Sequence, residues 1–88
     1  MEERFVLAQQ MQRAADSVAL NIAEGSTGQS NAEFRRFLGF SIRSGIEVVS
    51  CLYIGEKRKI IHEKEFSELY KKYDDLIKKI QALKNSIQ

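Results

Sequence analysis

The sequence predicts an all-α protein that folds as one antiparallel, up-and-down helix bundle. Its 88 residues include no proline, and 43% of them are hydrophobic, so helix is favoured throughout the chain. Its apolar residues recur three and four positions apart, which is the period of an amphipathic helix. A chain of this length forms one domain at most, and we expect a single domain over residues 1–88 with helices at about 3–24, 31–57 and 62–87.

The segment between the first two helices is predicted to turn the chain back on itself. Gly25 follows the last turn of the first helix and can adopt the left-handed conformation there. Ser30 and Glu33 have the spacing of a reciprocal capping box, in which each side chain binds the backbone N–H of the other residue. We expect valine at Gly25 to destabilise this hairpin, because a β-branched residue resists positive φ.

The second helix is predicted to pack on more than one neighbour, because it is apolar on two sides. One side carries Phe34, Leu38, Gly45, Val48 and Leu52, and the other carries Phe37, Phe40, Cys51 and Ile54. A polar stripe with seven-residue spacing separates these sides and is expected to face solvent. The stripe consists of Arg36, Arg43, Ser50 and Lys57.

The other two helices have one principal apolar seam each. The third helix has a heptad seam of Phe66, Leu69, Tyr73, Leu76, Ile80, Leu83 and Ile87. The first helix is rich in small residues that let a neighbouring helix approach closely, namely Ala8, Ala14, Ala15 and Ala19. A core built from so short a chain is marginal, so partner chains are expected to complete it.

The composition indicates a cytosolic protein without a membrane span. The single cysteine, Cys51, cannot form an internal disulfide, and no uninterrupted apolar run approaches the roughly 18 residues that cross a bilayer. The start of the sequence is acidic and quickly amphipathic, unlike the basic and then apolar start of a signal peptide. We therefore expect no membrane partner.

The small net charge of +2 is unevenly distributed along the chain. Residues 1–30 carry two basic and four acidic side chains, giving −2, and the remainder carries twelve basic and eight acidic ones, giving +4. A basic surface of this kind can bind the phosphates of RNA or DNA. The candidate residues are Arg36, Arg43 and Lys57 of the stripe, joined by Arg35 and Arg58. A solvated helix face explains the same residues, and both interpretations stay open.

A ladder of polar residues follows one face of the first helix in steps of four and three. It consists of Arg13, Ser17, Asn21 and Glu24, and it is expected to meet Arg36, Phe40 and Glu47 of the second helix. We expect ion pairs from Arg13 to Glu47 and from Glu24 to Arg36, in a structural network that includes Glu33. Such a network fixes the register of two helices, because partly buried charges require partners. The alternative is a site that binds an anion or a partner.

The sequence predicts neither an enzyme active site nor a metal site. Metal sites need several converging ligands, whereas this chain has one histidine, His62, and one cysteine. The Glu-x-x-His pattern of carboxylate metal sites in helix bundles does not occur. Gly25 and Gly28 are not followed by the Gly-Lys-Ser/Thr of a phosphate-binding loop. We therefore expect no cofactor.

Several short motifs of this chain occur together in one known protein family. They are Arg13-Ala14-Ala15 with Ser17, the run from Asn21 to Gly25, Glu33-Phe34, Phe37-Leu38, Ser44 and Glu47. In this combination they resemble the 23S rRNA intervening-sequence protein family, whose members are also called four helix bundle proteins. The resemblance covers nearly the whole chain.

The resemblance implies that this chain corresponds to the last three helices of a four-helix bundle. Family members begin with an additional helix, so either the sequence is truncated or another chain fills the fourth position. A distantly similar protein, the accessory variability determinant of diversity-generating retroelements, forms pentameric barrels and binds nucleic acid and a reverse transcriptase. The resemblance therefore implies a homo-oligomer, expected to be a pentamer.

Together these observations predict a non-enzymatic, oligomeric accessory or scaffold protein that binds RNA or DNA through its basic surface. The alternative is a structural or protein-interaction module without nucleic-acid binding. Clustering of Arg36, Arg43 and Lys57 on one surface favours the first function. Consumption of the basic side chains in ion pairs favours the second.

Overall fold

The computed structural model describes residues 2–28 and 30–88, which form three α-helices and no strand. Helix α1 spans Glu2–Gly25, helix α2 spans Asn31–Lys57 and helix α3 spans Glu63–Ser86. The all-α prediction is therefore confirmed. Two short connections, over residues 26–30 and 58–62, join the helices.

Local hydrogen bonds fix where α2 and α3 begin. The Ser30 hydroxyl accepts a bond from the Glu33 backbone N–H at 3.0 Å, which satisfies one of the free donors of the first turn. The reciprocal half of this predicted capping box does not form, because the Glu33 carboxylate lies beside the Arg36 guanidinium at 3.6 Å. At the start of α3 the Glu65 carboxylate accepts a bond from the His62 N–H at 3.2 Å.

The prediction that Gly25 adopts the left-handed conformation is wrong. Gly28 has that conformation, with a φ of 88°, whereas Gly25 is the last residue of α1. Gly25 is needed for a different reason, since a Cβ there would lie 2.7 Å from Phe37 Cβ and 3.0 Å from Phe34 Cδ1. The missing side chain lets the end of α1 approach the start of α2.

The three helices form one layer with α2 in the middle. Helix α1 runs antiparallel to one side of α2, where the Ser41 hydroxyl donates to the Val18 carbonyl at 2.8 Å. Helix α3 runs antiparallel along the other side, where Ile77 packs against Gly45. No Cα atom of α1 lies within 8 Å of one in α3. The molecule is consequently flat, with extents of 44 × 22 × 12 Å.

Helix α2 supplies the centre of the core, and α1 and α3 contribute further buried residues. The most completely buried side chains are Leu38, Leu52, Val48, Cys51 and Ser41, and all of them belong to this helix. Val18 from α1 and Ile80 from α3 form one cluster with Leu38. The second helix has two neighbours, as predicted, but the two predicted apolar sides do not divide between them, because Phe34 and Phe37, one from each side, both contact Gly25 of α1.

By length and composition alone, α2 could also cross a membrane. The prediction from uninterrupted apolar runs does not single out this helix, which passes a test of length and mean hydropathy. One such helix is weak support for a membrane span, since the core helix of a soluble protein has a similar composition. In this fold α2 lies between α1 and α3 and buries Leu38, Val48 and Leu52, whereas Ile46, Tyr53 and Ile54 are exposed.

We expect Gly25→Val to destabilise the fold through overpacking against Phe37 and Phe34 rather than through an unfavourable φ. The free energy of unfolding should fall by about 1–3 kcal/mol, as measured by thermal unfolding followed by circular dichroism. Gly28→Asn is the control, because asparagine tolerates positive φ and no atom lies within 4 Å of a Cβ at Gly28. An unchanged midpoint for Gly25→Val would contradict the close contact.

Candidate interaction surfaces

An open apolar groove separates α1 from α3 on one face of the layer, and we call it the groove. Its volume is about 370 Å³. Helix α2 forms the floor with Val48 and Leu52, and the 58–62 connection closes one end with Ile60 and Ile61. The wall residues are Leu7, Ala8, Met11 and Ala15 from α1, and Leu69 and Tyr73 from α3.

The groove is open because the apolar seam of α3 is only partly covered by α2. Of the seven seam residues predicted from the sequence, only Ile80 is buried. Leu83 is 42% exposed, and Leu69 and Tyr73 are half-buried in the groove wall. A heptad seam of this kind normally packs along its whole length against a partner helix. Helix α3 therefore has apolar surface left for a further neighbour.

Two adjoining depressions between α1 and α2 share Val6 and Gln10, and together we call them the hairpin furrow. It is lined by Val6, Gln10 and Arg13 from α1 and by Glu47 and Ile54 from α2. Val6 is 53% exposed and Ile54 39% exposed. The furrow thus combines apolar and charged side chains, whereas the groove is mostly apolar.

Of the polar ladder predicted on α1, Arg13 lines the hairpin furrow, and the bonds of the ladder differ from those predicted. The Ser44 hydroxyl donates to the Ser17 hydroxyl at 2.9 Å, and the Asn21 amide donates to Ser17 O at 2.8 Å. These three residues form the connected part of the network and join α1 to α2. The Ser44–Ser17 bond is the one of these that crosses between the helices, and Asn21 binds Ser17 from the same helix.

The ion pairs predicted for the ladder are not formed within the chain. Arg13 and Glu47 line the same part of the furrow, but no ion pair within 4.0 Å joins them. Arg36 pairs with Glu33 at 3.6 Å instead of with Glu24. The reason is geometric: Glu33 lies one turn before Arg36 on the same helix, within easy reach.

Three of the basic candidates lie where the sequence predicts, on the exposed face of α2. Arg36, Arg43 and Lys57 are all exposed and keep their seven-residue register. Arg36 also lies over the ring of Phe40, with its guanidinium carbon 5.4 Å from the ring centroid. Arg36 is therefore engaged by both Glu33 and Phe40.

The other two basic candidates have structural partners. Arg35 is partly buried, and its guanidinium donates to the backbone carbonyls of Lys84 and, at 2.9 Å, of Ile87. Arg58 pairs with Glu3 at 3.3 Å and ties the start of α1 to the end of α2. Arg35 is thus a cap for the last turn of α3 and is not free to bind a phosphate.

Sequence reasoning did not identify the role of Arg35, although one signal for it was present. The last carbonyls of a helix need donors, and a glycine after the last turn commonly arranges them. Helix α3 has no glycine after Ser86. A side-chain donor from elsewhere can therefore cap this end, and only the packing of α2 on α3 shows which residue supplies it.

The structure brings together no constellation suited to catalysis among residues 2–28 and 30–88. Burial raises the pKa of the Cys51 thiol, and the Glu47 carboxylate adds to this shift. The thiol is therefore protonated at neutral pH and is a poor nucleophile. His62 is exposed at the start of α3, and no three His, Cys, Asp or Glu side chains of the described residues converge.

Comparison with known proteins identifies one family. A family model described as 23S rRNA-intervening sequence protein matches residues 1–82. The family is one of unknown function, and the match indicates no enzyme family. No curated protein and no solved structure matches the chain significantly.

We expect Arg35→Ala to destabilise the protein by about 1–3 kcal/mol, because it leaves two carbonyls at the end of α3 without their charged donor. Thermal unfolding measures the loss, and amide hydrogen exchange should locate faster opening in the last turn of α3. Arg36→Ala is the matched control, and its exposed side chain should change stability by less than about 0.5 kcal/mol. Equal effects of the two substitutions would argue against the cap.

Proposed function

The chain belongs to the 23S rRNA-intervening sequence protein family, and we propose that it is a non-enzymatic scaffold that holds an amphipathic helix of a partner protein. The main support for this proposal is the apolar groove that stays open between α1 and α3. The family match supports a small helical protein but names no activity. The proposed function therefore depends on the geometry of the groove.

The groove is lined like the core of a helix bundle that lacks one helix. Its lining is mostly apolar, with aliphatic and aromatic side chains on three helices that already pack side by side. An incoming helix satisfies its own backbone hydrogen bonds and can bury one apolar stripe, so it suits such a lining. Strands or loops would bring unpaired backbone groups into an apolar surface.

The small residues of α1 are also suited to an amphipathic helix bound in the groove. Ala8 and Ala15 line the groove wall on the α1 side, where they leave room for the side chains of an approaching helix. Arg4 and Gln12 also border the groove. They can contact the polar flanks of a helix whose apolar stripe faces Val48 and Leu52.

The distribution of charge supports a protein partner over a nucleic acid as the first function to test. The Arg35 guanidinium donates to a backbone carbonyl at the end of α3. Arg58 forms an ion pair with Glu3, and Arg36 forms one with Glu33. Side chains used in this way contribute less to phosphate binding, because a phosphate must compete with their existing partners. The assembly of five copies and the cytosolic location remain predictions.

A second candidate function is binding of RNA or DNA through the exposed stripe of α2. Arg43 and Lys57 favour it, because both are exposed and neither has an ion-pair partner in the part of the chain that the structure describes. Two such groups in one chain bind weakly. Several copies displayed together could raise the avidity by about 10² to 10⁴.

We expect Ala8→Glu to abolish helix binding by placing a carboxylate in the groove wall. The probe is a labelled synthetic helical peptide of three heptads with leucine at positions a and d, titrated by fluorescence anisotropy. Wild-type protein should bind it, and Ala8→Glu should bind it at least about tenfold more weakly, because an unpaired charge is costly to bury. Ala82→Glu, the same change at an exposed position of α3 outside the groove lining, is the control.

Two results of this titration would contradict the proposed function. One is the absence of binding to wild-type protein. The other is equal loss of binding for Ala8→Glu and Ala82→Glu, which would indicate a general effect of charge. Circular dichroism of both variants should first show unchanged helix content, since Ala8 is exposed in the single chain.

For nucleic acid, we expect salt-sensitive binding that Arg43→Glu/Lys57→Glu removes. Anisotropy of labelled structured RNA and duplex DNA across a salt series measures it, because phosphate contacts release counterions. Lys71→Glu/Lys79→Glu changes the net charge equally at exposed positions of α3 and should keep most of the binding. Equal losses would assign any binding to net charge alone, and no binding at low salt would exclude this second function.

A further inference from the structure

Three aromatic rings lie together between α2 and α3, and we call them the aromatic cluster. They belong to Tyr53 of α2 and to Phe66 and Tyr70 of α3. Phe66 and Tyr70 are one helical turn apart, so both lie on the same side of α3. None of the three residues lines the groove. Binding of a helix in the groove therefore leaves the aromatic cluster without a role.

The three rings hold one another in a defined arrangement. The Tyr53 ring centroid lies 5.2 Å from that of Phe66 and 5.9 Å from that of Tyr70, at interplanar angles of 62° and 73°. Phe66 and Tyr70 are nearly parallel to each other, with centroids 5.7 Å apart. Edge-to-face and offset parallel pairs are the favoured arrangements of aromatic rings. The aromatic cluster is therefore preorganised.

The Tyr53 ring keeps an open face. The three centroids form a nearly equilateral triangle, so Phe66 and Tyr70 lie in similar directions from Tyr53. Two rings on the same side of a third ring cannot cover both of its faces. Tyr53 is accordingly 51% exposed, although it contacts two other aromatic residues. A group from outside the chain can stack on this open face.

Two carboxylates lie near the exposed phenol of this ring. Interaction with the Tyr70 phenol raises the pKa of Tyr53, and the carboxylates of Glu56 and Asp74 raise it further. Asp74 is already paired with Lys78 at 2.9 Å. No ion pair within 4.0 Å engages Glu56 in the part of the chain that the structure describes. Glu56 is therefore the carboxylate available to a partner.

An open aromatic face beside an available carboxylate is suited to a cation. The face of an aromatic ring carries the negative part of its quadrupole, and a cation within about 6 Å of the centroid is attracted to it. Among residues 2–28 and 30–88 the one contact of this kind is Arg36 over Phe40, at 5.4 Å from the ring centroid. The rings of the aromatic cluster receive no cation from the described residues.

We propose that the aromatic cluster binds an arginine side chain of a partner protein, with the guanidinium over Tyr53 and its N–H groups bonded to Glu56. Arginine suits this site better than lysine, because its planar guanidinium stacks on a ring while its edge donates to a carboxylate. Tyr53 and Glu56 are three positions apart on α2, which places them on adjacent surface. The contact is separate from helix binding in the groove.

The charges near the aromatic cluster favour arginine over a nucleic-acid base. Sites that stack the bases of single strands combine aromatic rings with a positively charged groove. Here Lys78 is paired with Asp74, and Lys57, one turn after Tyr53, is followed along the surface by the Glu56 carboxylate. These carboxylates repel phosphates and attract a guanidinium.

An NMR titration with two small probes tests the proposal. One probe is N-acetyl-arginine amide, and the other is N-acetyl-citrulline amide, which has a similar shape without the charge. The arginine probe should shift the amide and ring resonances of Tyr53, Phe66 and Tyr70 saturably. The citrulline probe should bind at least about threefold more weakly, because it lacks the attraction between a cation and a ring.

Substitutions at Tyr53 and Glu56 separate the ring from the carboxylate. Tyr53→Leu should weaken binding of the arginine probe at least about threefold, whereas Tyr53→Phe keeps the ring and should bind nearly as well as wild type. Glu56→Gln removes the charged acceptor and should also weaken binding. Glu68→Gln, at an exposed position of α3 that lines a different depression, is the control.

Two further measurements accompany these variants. Thermal unfolding followed by circular dichroism checks that each variant keeps its fold, which is expected for Tyr53 because it is half exposed. Tyr53→Leu should leave binding of the helical peptide in the groove unchanged, since Tyr53 is outside the groove lining. Failure of this proposal and failure of the proposed function are therefore distinguishable.

Four results would overturn the proposal. The first is the absence of a saturable shift with the arginine probe, and the second is equal binding of the two probes. The third is equal binding of the arginine probe by wild type and Tyr53→Leu. The fourth is a loss of single-stranded RNA binding or of self-association in Tyr53→Leu without any shift by the arginine probe, which would assign the aromatic cluster to base stacking or to a contact between copies.

Discussion

The structure depends on the burial of α2 between two antiparallel helices. Helix α2 supplies the most completely buried side chains, and the backbones of α1 and α3 pack against it with no Cα atom of one within 8 Å of a Cα atom of the other. Burial of large apolar side chains is the dominant favourable term in folding. Because this term is concentrated on one central helix, the outer helices keep apolar surface that α2 alone cannot cover. The open groove is a direct consequence of this arrangement.

The same arrangement explains where the basic side chains are used. A layer of three helices has exposed helix ends, and their carbonyls need donors. Arg35 reaches from the start of α2 to the end of α3, and Arg58 joins the end of α2 to the start of α1. Both are therefore part of the connections between helices. The basic stripe that remains is short, and this shifts the favoured function from nucleic acid toward protein binding.

The two surfaces of the molecule differ in chemistry. The groove is mostly apolar and lies over the floor of α2, which suits the apolar stripe of a helix. The hairpin furrow combines exposed apolar side chains with charges of both signs.

The sequence by itself determined the three helices, the cap at Ser30, the exposed stripe of Arg36, Arg43 and Lys57, and the apolar seam of α3. These features follow from local periodicity and capping chemistry, which involve residues a few positions apart. Only the tertiary structure decided that Gly25 permits a close contact with Phe37, that Arg35 caps α3, and that Arg13 and Glu47 stay unpaired. Each of these features depends on distances between residues of different helices. Such distances are set by how the helices pack, and the periodicity of residues along one helix does not specify that packing.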